Sequence, residues 1–146
     1  EGTLSFFTAE RHRGGGTLVE GLEQIPQLTA SERRQIDVRT TTIDAIMEAH
    51  PAGFDFVKVD AEGAESAIVA GGKKLLADRA RPLTFMMEFA PPFVVRAGEN
   101  PRGQLDELAS YGFRFSRIDE RKRKIVSATP DELLNRDFSD IVMVRG

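Results

Sequence analysis

Between Phe54 and Phe89 the chain switches hydrophobic period twice, and this restricts its architecture more than any other feature. Phe54 to Val59 is a short apolar run bounded in front by the breakers Pro51, Ala52 and Gly53 and behind by a cluster of acids, the pattern of a strand. From about Ala64 to Ala77, the residues Ala64, Ala67, Ile68, Gly71, Leu75 and Leu76 recur at the spacing of one helical face, while Lys73, Lys74 and Asp78 fall away from it. Leu83 to Phe89 is the most continuous apolar stretch, which predicts a central strand covered on both faces by helices. Pro91 and Pro92 forbid its extension. Strand, helix, strand is the signature of a layered α/β domain with parallel strands joined by right-handed crossovers.

The flanking sequence extends the pattern. Gly2 to Phe7 reads as a short strand with almost nothing before it, which predicts a chain that begins in mid-fold. Gly14, Gly15 and Gly16 read as a mobile loop, and the mixed stretch Thr17 to Ser31 after them does not supply the helix a phosphate cradle needs. Ile36 to Thr40 alternates apolar and polar residues like a half-buried strand, and Thr41 with Asp44 has the capping-box spacing for a short helix ending near His50. Leu105, Leu108, Ala109 and Tyr111 predict a helix stopped by Gly112, followed by a strand from Phe113 to Ile118. Asp119 to Lys124 and Pro130 to Asp137 form a polar excursion before a closing strand, Ile141 to Val144. The last two strands are expected to pair as an antiparallel edge.

With 146 residues there is room for one compact domain with a core. The 20 basic and 23 acidic residues are interspersed, giving a net charge of -3, so no nucleic acid partner is expected. No cysteine is present, which excludes disulfides, zinc thiolates, iron–sulfur clusters and cysteine nucleophiles. Apolar runs such as Leu83 to Met87 are too short to cross a bilayer, and the expectation is a cytoplasmic protein without a membrane partner.

Ligands of parallel α/β sheets sit beyond the carboxyl ends of the strands, here just after Val59 and Phe89. Asp60, Glu62 and Glu65 follow the first of these strands and Glu88 closes the second, so four carboxylates are expected to converge on one rim. Gathered like charges require helix amides, a cation or protons to offset them.

The run FDFVKVDAEGAE, Phe54 to Glu65, resembles the best-known segment of the FkbM family of methyltransferases. Thr41, Thr42, Ile43 and Asp44 upstream, and Gly71, Pro82 and Glu88 downstream, match further family features across Ile36 to Ile118. The resemblance implies a partial Rossmann-like class I methyltransferase sheet: parallel strands with helices, closed by the antiparallel C-terminal pair. It also implies that residues 1–146 are the C-terminal part of a single methyltransferase domain, without the glycine-rich S-adenosylmethionine loop, and that this chain is inactive alone. The implied activity is O-methylation of a hydroxyl on a sugar, polyketide or similar small molecule.

Methyl transfer to oxygen is an in-line displacement in which most of the catalysis is alignment with water excluded. Asp60 is the expected proton acceptor and cofactor contact, with Glu62 and Glu88 orienting the substrate or holding a divalent metal ion. The structural alternative for Asp60 is an N-cap of the following helix; for Glu62 and Glu65 it is the attraction of acids to a helix's first turn. Thr41 and Asp44 are expected to be structural, and His12 and His50 solvated. Arg121 to Lys124 suit an exposed turn that could also attract an anionic substrate, and Phe93 to Val95 suit a loop at the substrate mouth. Two other functions stay open: a non-catalytic fragment that self-associates, as a homodimer for instance, through an exposed strand edge, and a divalent-metal-dependent hydrolase.

Overall fold

A computed structural model describes residues 2–9, 12–17, 33–50, 52–61 and 63–146. Strands β1 (Gly2–Ala9), β2 (His12–Thr17) and β3 (Arg33–Thr40) form an antiparallel sheet of order β2-β1-β3. The β1–β3 ladder runs in unbroken register from Gly2 opposite Thr40 to Ala9 opposite Arg33. Gly14 to Gly16 therefore lie in a strand and not in a loop: pairing with β1 fixes a backbone that has no preference of its own. The segment 18–32, where the mixed stretch was read, lies outside the described residues.

The second sheet holds β4 (Phe56–Val59), β5 (Leu83–Phe89), β6 (Arg114–Asp119), β7 (Lys124–Ser127) and β8 (Ser139–Arg145), in the order β4-β5-β8-β6-β7. β4 and β5 are parallel, in register from Phe56 opposite Thr84 to Val59 opposite Met87. β8 is antiparallel to both of its neighbours, β5 and β6, so β4, β5 and β6 all point the same way. β6 and β8 do pair, but β8 lies inside the sheet and the edge is the β6–β7 hairpin. The charged turn between these strands concealed β7 from a reading that follows apolar alternation.

Among the described residues six helices connect the strands: α1 (Ile43–Ala49), α2 (Glu65–Ala70), α3 (Lys73–Ala77), α4 (Pro91–Arg96), α5 (Pro101–Ser110) and α6 (Pro130–Leu134). The single helix expected from Ala64 to Ala77 is divided at Gly71 and Gly72. The start of α1 packs on this joint: a Cβ on Gly72 would meet Ile43 Cδ1 at 3.3 Å, and Gly71 accepts the Asp44 amide through its carbonyl. Phe93 to Val95 belong to α4, whose first residues are the two prolines that stop β5, since proline suits a helix's first turn. Pro130 to Asp137, read as polar excursion, contains α6, which Thr129 and Glu132 close in a reciprocal capping box.

Burial alternates strictly along β5. Leu83, Phe85, Met87 and Phe89 are buried, whereas Thr84, Met86 and Glu88 are half-buried, so the expected cover on both faces is seen on one only. The buried face packs with Leu76, Leu105, Leu108 and Leu133 from the helices and Ile141 and Met143 from β8. Each such side chain contributes about 1.5–3 kcal/mol through burial. On the opposite face Phe56 and Val144 flank Thr84 on one rung and remain 57% and 38% exposed.

Candidate active site

Because β4, β5 and β6 share one direction, their carboxyl ends form a single rim, and the antiparallel β8 starts at it. Val59 pairs with Met87, which brings Asp60 level with Glu88, and Glu88 stands opposite Asp140 on β8. Neighbouring strands lie roughly 4.8 Å apart, so these three carboxylates occupy about two strand spacings. The sequence located Asp60 and Glu88 and missed Asp140, because only the insertion of β8 between β5 and β6 brings the start of the last strand to this rim.

Acids placed opposite one another repel, and a cation offsets them here. Lys58 lies two residues before Asp60, which the two-residue period of a strand puts on the face that carries Glu88 and Asp140. Its Nζ donates to Asp60 Oδ2 at 2.7 Å. The hydrogen bond and charge of Asp60, with a smaller contribution from Asp140, hold the Lys58 ammonium above the usual lysine pKa. Lys58 was legible in principle, as the lone cation inside an otherwise apolar strand.

Glu65 has a different task. It is 8% exposed, and its carboxylate accepts the amides of Ala61 and Gly63, both at 2.9 Å. This clamps the turn after Asp60, where Gly63 takes a φ of 97° that favours glycine. Asp60 is not the N-cap of α2: Ala64 occupies that position without a side-chain bond, and Asp60 remains exposed. Glu62 lies outside the described residues.

Thr42, not Thr41, caps α1 by accepting the Ala45 amide at 3.1 Å. The Asp44 carboxylate reaches past its own helix to accept the amides of Lys74 and Leu75 at the start of α3. In α4, Val94 is buried and Val95 is 61% exposed. His50 is exposed at the end of α1, and the side chain of His12 lies outside the described residues. Among the described residues no group of three or more histidine, aspartate and glutamate side chains is placed to hold a metal. No described helix is long and apolar enough to cross a membrane.

Farther along the rim, a cavity of about 440 Å³ opens between the end of β6 and the start of β8. Arg117, Arg121, Arg136, Phe138 and Ser139 line it together with Asp140, which joins it to the row of acids.

The domain is thus an α/β sheet whose parallel strands end in a row of carboxylates beside a cavity. The family model of the methyltransferase FkbM domain matches residues 2–115, and the chain belongs to the FkbM methyltransferase family. The match spans β1 to the start of β6; β7, α6 and β8 lie beyond it. No curated protein and no solved structure gives a significant match.

Proposed function

We propose that the rim around Asp60 and Glu88 serves the transfer of a methyl group from S-adenosylmethionine to a hydroxyl of a small molecule such as a sugar or polyketide. The observation that carries this reading is the alignment of the two acids at the carboxyl ends of adjacent parallel strands within an FkbM domain. Asp60 fits the cofactor in kind, since its exposed carboxylate already accepts a hydrogen bond from an ammonium group, that of Lys58. S-adenosylmethionine supplies an electrophilic methyl group when bound. Asp60 takes the proton of the attacking hydroxyl, and Glu88 and Glu62 orient the substrate. Lys58 holds the Asp60 carboxylate in position through their ion pair at 2.7 Å.

Isothermal titration calorimetry of the full-length protein with S-adenosylmethionine tests this. Saturable heat is expected, with affinity reduced tenfold or more in Asp60→Ala. A full-length protein that gives no heat would remove the reading.

A second reading draws on a separate observation: β4 has β5 on one side and no described strand on the other, with Phe56 exposed beside that edge. Such an edge can pair with a second copy of the chain. Light scattering that finds a monomer at all concentrations argues against it.

A further inference from the structure

The cavity at the end of β6 carries chemistry that the acids alone do not use. Arg121 and Arg136 both line it, one from the β6–β7 turn and the other from the segment between α6 and β8. Neither forms an ion pair with a described residue, whereas Arg117 is engaged by Asp119 at 3.6 Å. Asp119 is further committed to the Lys122 amide at 3.1 Å and the Lys122 ammonium at 3.8 Å. Glu120 and Asp140 are the other carboxylates that line the cavity, and Asp140 also lies in the field of Lys58. Ser139 adds a hydroxyl that is buried without a hydrogen-bond partner in a residue 6% exposed, a costly arrangement in the absence of a ligand. Phe138 on the same wall is 48% exposed and offers an apolar face.

We propose that this cavity binds the anionic group, carboxylate or phosphate, of a small hydroxylated substrate whose neutral part extends along the rim toward Glu88 and Asp60. The inference rests on the methyl-transfer reading and adds to it the class of substrate. Guanidinium groups bind both anions in bidentate fashion, and a cavity of this volume holds a molecule the size of a monosaccharide. The residues that line this cavity lie beyond the stretch matched by the family model.

Titrations of the full-length protein with glucose 6-phosphate, glucuronate and neutral glucose, followed by nuclear magnetic resonance shifts, test it. Saturable binding of at least one anion, and none of glucose, is expected. The anion that binds identifies phosphate or carboxylate as the preferred group. Arg121→Gln and Arg136→Gln each weaken that binding about tenfold. Ser139→Ala lowers affinity several-fold while leaving the melting temperature unchanged or higher, because it deletes an unpartnered polar group; a merely structural serine would not separate these two readouts. Equal binding of glucose and the anions, or anion binding insensitive to both arginine variants, overturns the proposal. Heat with S-adenosylmethionine but no anion binding sinks the cavity's role and leaves methyl transfer standing. Anion binding without that heat does the reverse.

Discussion

Asp44 and Leu75 belong to different helices, yet the Asp44 carboxylate accepts the Leu75 amide at 3.1 Å and, through its other oxygen, the Lys74 amide at 3.0 Å. An acid in the first turn of α1 thus serves as the N-terminal cap of α3, whose own cap position is Gly72 and has no side chain to offer. Loss of a cap costs about 1 kcal/mol, within a range of 0.5–2. Asp44→Ala is expected to lose that amount in urea unfolding, with Asp44→Asn losing less because one acceptor oxygen survives. A change below a few tenths of a kcal/mol would show that α3 does not depend on this bond.

Glu65 satisfies two amides of the turn that follows Asp60. Removing a buried acceptor leaves its donors unpaired, at about 1–3 kcal/mol. Glu65→Ala should lower the melting temperature by several degrees, and Glu65→Gln by less. Because the same turn sets the direction of Asp60, both variants should also weaken S-adenosylmethionine binding. Unchanged cofactor affinity in a destabilised Glu65→Ala protein would detach the clamp from the site.

The strands that define the rim were readable because their apolar runs are bounded by breakers: β4 and β5 lie at or near the positions that Phe54 to Val59 and Leu83 to Phe89 predicted. What escaped depends on contacts distant in sequence. The break between α2 and α3 follows from α1 packing against Gly71 and Gly72, which no helical period reveals. The half-buried face of β5 was hidden because Met86 is apolar and interrupts the alternation that Thr84 and Glu88 would otherwise display. At the site, Asp60 and Glu88 were visible as strand-end acids. Asp140 and the arginine cavity needed the strand order, which places the start of the last strand beside β5.

Glu107 provides a test in pH. It bonds to Lys73 at 3.0 Å and accepts the Tyr111 hydroxyl at 2.8 Å, and these hydrogen bonds, Lys73 first, hold its carboxyl below the usual glutamate value. A depressed native pKa means that the unfolded chain takes up the proton more readily than the folded one. The stabilisation is therefore complete above the unfolded glutamate pKa of roughly 4.3 and is lost as pH falls through the lower native value. Glu107→Gln should be less stable than the wild type at pH 7, and the gap in urea midpoint should narrow as pH falls below the unfolded glutamate value. A gap that stays constant down to pH 3 would exclude Glu107 as its source.

Gly112 and Gly103 should respond to alanine with opposite signs. Gly112 ends α5 with its amide bonded to the Ala109 carbonyl at 2.9 Å and takes a φ of 90°, where an L side chain meets its own backbone. An added Cβ there would lie 3.7 Å from Arg145 Cδ, an ordinary contact, so the cost comes from the backbone and amounts to about 1–2 kcal/mol. Gly112→Asn should lose less, since asparagine tolerates the left-handed region. Gly103 sits in the first turn of α5 with ordinary helical geometry, and an added Cβ would make only ordinary contacts, with Asn100 Cβ at 3.6 Å. Alanine at this position reduces the freedom of the unfolded chain and should stabilise by about 0.4–1 kcal/mol. Urea unfolding of both variants decides the matter: equal and same-signed shifts would mean that helix propensity alone, and not the conformation at the end of α5, governs these glycines.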